Sequence, residues 1–217
     1  MKTEKHDLYP FYERVWHWVQ AVAVLLLLLT GLEIRDHIRL LGFELSVRMH
    51  TALGVFLIIN AFLGLFYFLT SGAIRQYVTQ PRDFATLAVK QMTYYMGGIF
   101  RGAPHPVERT AGQRLNPLQQ AVYLIILNVL LPWQIFTGLA IWGLEQWPHL
   151  EAAIGGLPIL LPLHALGSWL FAAFIIMHVY LTTTSGLKPL DGIKAMILGW
   201  EEMPVPEKES DNPEASS

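Results

Sequence analysis

Four apolar runs, each long enough to cross a lipid bilayer, constrain this chain more than any other feature. A bilayer core of about 30 Å takes roughly 20 helical residues. Runs of that length occur at about 15–32, 47–70, 117–143 and 163–184, and apart from Arg48 at a boundary they contain no Asp, Glu, Lys or Arg. The sequence therefore predicts an all-α integral membrane protein, a bundle of four transmembrane helices.

The composition agrees with a membrane protein and restricts its chemistry. Of the 217 residues, 53% are hydrophobic and 15% are charged, whereas soluble domains carry about 25% charged residues. The chain has no Cys, which excludes disulfides, iron–sulfur and thiolate zinc sites, and covalently attached c-type haem. A bound metal or cofactor must therefore be held by His, Met or oxygen ligands.

Basic residues predict the orientation. Twelve of the 15 Lys and Arg residues lie in the two tails or in the segment 71–116, and the other three lie between the first two spans. Because basic loops stay in the cytoplasm, we expect both termini on the cytoplasmic side of a bacterial inner membrane. Residues 1–200 are predicted to form the membrane domain, with a short amphipathic helix between Phe84 and Met96, and 201–217 a disordered tail.

Four histidines lie in or beside the spans, at two depths. With cytoplasmic termini, His17 and His178 lie near the inner face, and His50 and His164 lie near the outer face. His164 and His178 are fourteen residues apart, which is close to four helical turns, so they share one helix face about 21 Å apart. Each level thus holds one histidine from the fourth span and one from an earlier span.

Two histidines from different helices at one level are the ligand set of a b-type haem with both axial positions filled. Such iron favours electron transfer over binding of oxygen or substrate. A lone intramembrane His is often only a hydrogen-bonding residue, but four in level-matched pairs favour haem ligation. A transported metal or a proton relay is the rival interpretation, and the spans lack the carboxylates that such sites use.

Three other residues near the histidines each have two interpretations. Gly54 and Gly167 are expected either to make room for a flat macrocycle or to let helices pack closely. Arg48 is expected either to pair with a haem propionate or to extend towards lipid headgroups.

Several short motifs are shared with a known family. ERVWHWVQ opens the first span, VRMHTALG lies in the second, RLNPLQQAVY opens the third, HALGSWLFAAFIIMHVYL forms the fourth, and GLKPLDGIKAMILGWEE follows it. With these motifs the chain resembles the four-helix, di-haem cytochrome b membrane subunits of respiratory formate dehydrogenases, nickel–iron hydrogenases and thiosulfate reductases. The resemblance implies two haem b groups, an outer one between His50 and His164 and an inner one between His17 and His178.

The resemblance also implies a quinone site. RLNPLQQ is similar to the family's quinone-site segment, which implies that Asn116 and Gln119 lie beside His178. Leu118 stands where some relatives have a glycine, so this chain departs from the family inside that segment. Asn116 is also predicted to cap the third helix, with Pro117 at its first position.

The predicted function is electron transfer through two haems between an outer-face redox partner and the quinone pool. The chain would be the membrane subunit of a respiratory oxidoreductase rather than its catalytic subunit. The expected partners are the bilayer, quinone and an iron–sulfur, hydrogenase, molybdoenzyme or multihaem cytochrome subunit, with no nucleic acid. The alternatives are a stand-alone b561-type cytochrome that reduces quinone, a haem-free membrane anchor, and a membrane metal carrier.

Overall fold

The computed structural model describes residues 3–77, 84–103, 116–151, 155–184 and 189–204. Within these ranges four helical segments are long and apolar enough to cross a membrane, so the predicted four-helix fold is confirmed. The first two are α1 (Phe11–Ile34) and α2 (Phe43–Thr70). These helices extend beyond the predicted apolar runs, because polar residues such as Glu13, Glu33 and Glu44 continue them at their ends.

The amphipathic helix predicted between the second and third spans is α3 (Phe84–Thr93). A π-helical turn, Tyr94–Gly98, continues it. Gln91 and Tyr95 are buried, whereas Met96 on another face is 75% exposed. Residues 104–115, which carry two of the basic residues used to predict the orientation, lie outside the described residues.

The third span consists of α4 (Pro117–Ile125) and α5 (Leu131–Gln146), joined by a π-helical turn at Ile126–Leu130. The wider turn lies just before Pro132. Proline has no amide hydrogen and its ring collides with the carbonyl four residues back, so a regular helix would be disrupted here. The π-helical turn accommodates Pro132 while the span continues as a helix.

The fourth span is α6 (Gly156–Thr184), and the four spans pack as two hairpins. α1 packs along α2, and α5 packs along α6, whereas few residues join one hairpin to the other. The boundary between the two hairpins is therefore the part of the described bundle that fewest contacts hold together.

The two ends of the described chain meet at one end of the bundle. Strand β1 (Thr3–Asp7) pairs antiparallel with β2 (Trp200–Pro204), which follows the short helix α7 (Asp191–Leu198). We call β1, β2 and α7 the terminal clasp, and the end of the bundle that carries it the terminal end. The predicted tail thus begins inside a strand, and residues 205–217 lie outside the described part.

Two side chains of α1 fasten this helix to the clasp. The Arg14 Nη1 donates to the carbonyl of Ile197 at 2.6 Å, and the Trp18 indole N–H donates to the carbonyl of Met196 at 3.1 Å. Carbonyls in the last turn of a helix have no partner within the helix, so these donors satisfy groups of α7 that would otherwise need water. The clasp therefore fixes the terminal end of α1.

At the opposite, far end, one carboxylate orders the loop between α1 and α2. The Glu33 Oε1 accepts backbone N–H groups from Leu40, Leu41 and Gly42 at 2.9, 2.7 and 2.7 Å. These donors lie in the loop and at the N-cap Gly42, directly before Phe43, so Glu33 fixes the backbone that leads into α2. In the same loop a hydrogen bond from Arg39 lowers the pKa of Asp36 below its ordinary value.

Candidate functional site

The structure brings the four intramembrane histidines together in two pairs, both shared with α6. His50 of α2 and His164 of α6 form the far-side pair, with their ring centres 6.1 Å apart. His17 of α1 and His178 of α6 form the terminal-side pair, also with ring centres 6.1 Å apart. All four rings are half-buried, and each pair joins one hairpin to the other.

The spacing within each pair fits one metal ion between two imidazoles. Metal–imidazole bonds are about 2.0–2.1 Å long, and each ring nitrogen lies about 1.1 Å from the centre of its ring. Two imidazoles that bind one metal from opposite sides therefore have ring centres about 6 Å apart. Two imidazole nitrogens are also the ligand set of a low-spin b-type haem.

Each histidine of the far-side pair makes the same hydrogen bond within its own hairpin. The Nδ1 of His50 lies 2.9 Å from the Thr30 hydroxyl, and the Nδ1 of His164 lies 2.9 Å from the Thr137 hydroxyl. Both threonines are buried, at 1% and 3% exposure. The engaged Nδ1 leaves Nε2 as the nitrogen available to a metal.

A glycine follows each threonine and lies against the same ring. A Cβ at Gly31 would lie 3.4 Å from His50 Cε1, and one at Gly138 would lie 3.3 Å from His164 Cε1. Each far-side ring thus rests on a Thr-Gly dipeptide, Thr30–Gly31 or Thr137–Gly138, which we call a Thr-Gly seat. Sequence reasoning missed both seats, and the only signal was that the dipeptide occurs once in each of two spans.

Gln134 lies next to the far-side pair. Its Nε2 is 3.2 Å from His164 Nε2 and donates to Ser168 Oγ at 3.0 Å. Its Oε1 presses on Gly167 and has no hydrogen-bond partner among the described residues. The amide must rotate away before His164 Nε2 can bind a metal, and this rotation would break only the contacts of the Gln134 Nε2 with His164 and Ser168.

The Nδ1 atoms of the terminal-side histidines are less well hydrogen-bonded than those of the far-side pair. The buried Nδ1 of His17 has no hydrogen-bond partner among the described residues. The Nδ1 of His178 lies 3.4 Å from the Tyr123 hydroxyl, near the outer limit for such a bond. Instead, the His178 ring stacks on Phe174 at 5.5 Å, so packing rather than hydrogen bonding orients it.

Tryptophans on either side of His17 hold its position in α1. The Trp16 indole donates to the carbonyl of Asn60 in α2 at 3.0 Å, and Trp18 reaches α7 as described above. Trp16 also fits closely against Gly64 of α2, where a Cβ would lie 2.5 Å from the indole. His17 is therefore fixed by its neighbours on both sides.

The predicted quinone residues form a capping box at the start of α4. The Asn116 Oδ1 accepts the backbone N–H of Gln119 at 2.8 Å, and the Gln119 Oε1 accepts the backbone N–H of Asn116 at 3.0 Å. Both side chains are buried, with 3% and 9% exposure. The predicted capping role of Asn116 is confirmed, and the cap uses only the amide oxygens.

The cap connects to the terminal-side pair through α4. Tyr123, which contacts His178, lies four residues after Gln119, and four residues span about 6 Å of helix. On the other side, the Asn116 Nδ2 reaches the Tyr95 hydroxyl at 3.5 Å. The amide groups of the cap therefore lie about one turn from the His178 level.

The other predicted residues are placed as follows. Gly54 has nothing within 4 Å of its Cβ position, whereas Gly167 packs on Trp133 and Gln134. Arg48 forms an exposed ion pair with Glu44 at 3.3 Å. Within the described residues, no group of three or more His, Asp or Glu could hold a metal ion, so this part of the chain gives the metal-carrier alternative no support.

A four-helix membrane bundle with facing histidine pairs is the architecture of membrane proteins that hold haem between helices. The model of the prokaryotic cytochrome b561 family matches residues 8–199. The chain belongs to this family: it is an integral membrane b-type cytochrome, and membership implies that it binds haem b.

Three proteins that are similar over most of their length are consistent with membership of this family. The putative cytochrome YdhU of Escherichia coli K12 is 32% identical, over 91% of this chain and 75% of that protein. The putative protein-methionine-sulfoxide reductase subunit YedZ1 of Azospira oryzae is 24% identical, over 82% of this chain and 91% of its own. A probable Ni/Fe-hydrogenase B-type cytochrome subunit of Rhizobium leguminosarum is 24% identical, over 92% of this chain and 90% of its own. No solved structure matches the chain.

Proposed function

We propose that this cytochrome holds two haem b groups, one between His50 and His164 and one between His17 and His178. It would pass electrons through them between a redox partner on the far side and a quinone on the terminal side. The observation that carries the proposal is the pair of ring-centre spacings, 6.1 Å at each level. Both pairs also lie between the two hairpins, which few residues join.

Haem supplies one-electron redox chemistry when bound. The residues of the chain determine how the haem is held, how far water is excluded and what its redox potential is. At each level the two imidazoles would hold the haem iron from both sides, which would exclude oxygen and substrate from it. The surrounding apolar helices keep water away and lower the local dielectric constant, which tunes the potentials. A histidine of α6 at each level keeps the two sites on one rigid helix.

The orientation and the partner extend this proposal. The distribution of basic residues supports cytoplasmic termini in a bacterial cytoplasmic membrane, which places the far side at the outer face. Two relatives are named as subunits, one of a protein-methionine-sulfoxide reductase and one of a Ni/Fe-hydrogenase. Those names support an electron-transfer subunit with a redox partner. We propose that this partner, an iron–sulfur, hydrogenase, molybdoenzyme or multihaem subunit, binds at the far side.

The quinone is proposed to bind beside the cap of α4. A quinone carbonyl needs hydrogen-bond donors, and the capping box uses neither amide nitrogen. The Asn116 amide gives one hydrogen to Tyr95, so its second hydrogen and those of Gln119 could serve the quinone. Buried Tyr95 lies next to this cap and Tyr123 connects it to His178. The site would be close to the terminal-side haem. The basic residues indicate that this side faces the cytoplasm, which would supply the protons for quinone reduction.

The haem proposal is tested by a reduced-minus-oxidised spectrum of the purified protein and by counting haem per chain. We expect two low-spin b haems. His50→Ala and His164→Ala should remove the same haem, and His17→Ala and His178→Ala the other. Protein without haem, from cells well supplied with it, would leave the anchor alternative. A different grouping of the four variants would refute the pairing.

The quinone site is tested with two substitutions of Asn116. Asn116→Asp keeps the oxygen that caps α4 but loses the amide donors, whereas Asn116→Ala loses both. We expect both variants to slow oxidation of the reduced terminal-side haem by a short-chain quinone, and only Asn116→Ala to lower the melting temperature, because a lost cap costs about 0.5–2 kcal/mol. Normal quinone reactivity in Asn116→Asp would leave Asn116 as a cap alone.

A further inference from the structure

We propose that Thr30 and Thr137 are positioning residues of the far-side haem, and that their hydroxyl groups lower its midpoint potential through the two axial histidines. This inference rests on the proposed ligation by His50 and His164. Beyond that ligation, it assigns a role to two threonines and predicts that the midpoint potentials of the two haems are set differently.

The direction of each hydrogen bond follows from the donors that a threonine has. A hydroxyl has one hydrogen and two lone pairs. The Thr30 hydroxyl lies 2.8 Å from the carbonyl of Leu26, and the Thr137 hydroxyl lies 2.8 Å from that of Trp133. When Nε2 of the histidine binds the metal, Nδ1 carries the hydrogen and can only donate, so each hydroxyl hydrogen points to its own helix carbonyl. Its lone pairs therefore face the histidine, and the Nδ1–H of the imidazole donates to them.

The surroundings hold this arrangement in place. Both hydroxyl groups are buried, and a β-branched side chain in a helix has few rotamers. The following glycine lets the imidazole ring approach the helix backbone, since a Cβ there would lie 3.4 or 3.3 Å from Cε1. Two seats with the same distances occur on separate hairpins, at the two sides of one haem site, and that repetition is not expected of incidental contacts.

The hydrogen bond changes what the imidazole gives to the metal. Donation from Nδ1–H to an acceptor fixes the tautomer with Nε2 free and raises the basicity of the ligand. A more basic ligand favours the more positive, ferric state, so the midpoint potential falls. The terminal-side pair lacks this support, since His17 Nδ1 has no partner among the described residues and His178 Nδ1 is 3.4 Å from Tyr123. The seats therefore lower the far-side potential relative to the terminal-side potential.

The test is a potentiometric titration of the visible spectrum in the full-length protein. Thr30→Val and Thr137→Val keep the shape of the side chain but remove the acceptor. At a fixed ambient potential each should raise the reduced-to-oxidised ratio of the far-side haem by about threefold to tenfold, as expected for one net hydrogen bond. For a one-electron couple the tenfold change corresponds to about 59 mV. The same titration in a His178→Ala background observes the far-side haem without the other.

Three controls separate this effect from a change in stability. Thr→Ser at either position keeps the hydroxyl and should restore the native potential. Thr70→Val removes a hydroxyl that also bonds helix carbonyls, at 2.8 and 3.2 Å, but contacts no histidine, so it should shift neither haem. The terminal-side haem should keep its potential in all of these variants.

The outcomes distinguish this inference from the proposed function. If the native protein lacks the His50–His164 haem, the proposed function fails. If that haem is present and Thr→Val leaves its potential unchanged, or shifts both haems equally, the inference is wrong. If Thr→Val releases the far-side haem, recovery in Thr→Ser supports the positioning role, and continued loss in Thr→Ser refutes it.

Discussion

Replacing Gly64 by alanine should weaken the terminal-side haem site selectively. A Cβ at this position would lie 2.5, 2.6 and 2.8 Å from three atoms of the Trp16 indole. The indole is rigid and is held by its bond to Asn60, so it cannot move aside without loss. Because Trp16 immediately precedes His17, its displacement moves a proposed haem ligand.

The magnitude follows from two costs. Overpacking a filled site costs about 1–3 kcal/mol, and loss of the Trp16–Asn60 hydrogen bond costs about 0.5–1.5 kcal/mol. We take both costs to destabilise the haem-bound state only. At about 1.4 kcal/mol for each factor of ten, the affinity for the terminal-side haem then falls roughly tenfold to a thousandfold.

Transfer of haem to an excess of apomyoglobin measures this loss site by site. The terminal-side haem should leave faster from Gly64→Ala, while the far-side haem leaves at the native rate. Gly54→Ala makes the same chemical change in the same helix without a clash, so it should not alter loss of the terminal-side haem. Adding Trp16→Phe to Gly64→Ala should recover part of the retention. Native retention of the terminal-side haem in Gly64→Ala would refute the packing argument.

Three further predictions concern other contacts of the two sites. Gly54 lies one turn after His50 on the same helix face, so Gly54→Ala should place a methyl group in the macrocycle space and lower far-side haem content, and full content would show that Gly54 faces lipid. Tyr123→Phe should raise the terminal-side potential by less than either Thr→Val raises the far-side one, since a 3.4 Å contact is weak; a larger shift in a titration would contradict this. Trp18→Phe loses a hydrogen bond to the carbonyl of Met196. The free energy of local opening of α7, measured by amide hydrogen exchange, should therefore fall by about 0.5–1.5 kcal/mol. Unchanged protection would show that Trp18 does not fasten the clasp.

Hydropathy was sufficient to predict the spans, because a membrane helix must present apolar side chains over most of its surface. The two histidine levels followed from helix geometry alone, since a fourteen-residue spacing keeps His164 and His178 on one face. The π-helical turn before Pro132 was not predicted, because a proline indicates that a helix is disturbed but not how the backbone adjusts.

The Thr-Gly seats and the clasp were beyond the reach of sequence reasoning for a different reason. Threonine inside an apolar helix usually bonds to its own backbone, and Thr30 and Thr137 do so as well; only the packing of the neighbouring helix brings an imidazole to the same hydroxyl. Strands β1 and β2 are short and polar, and their pairing depends on residues from opposite ends of the chain. Such long-range contacts leave no local pattern.

The terminal clasp also sets an order for biosynthesis. Helix α7 and strand β2 are made after all four spans, so α1 lacks its bonds to Met196 and Ile197 until the fourth span has been made. The Thr-Gly seats, by contrast, each lie within one hairpin of consecutive helices and can form as soon as that hairpin has inserted. The seats of the far-side site can therefore form before the two hairpins meet, whereas the support of α1 beside His17 is completed only when β1 pairs with β2.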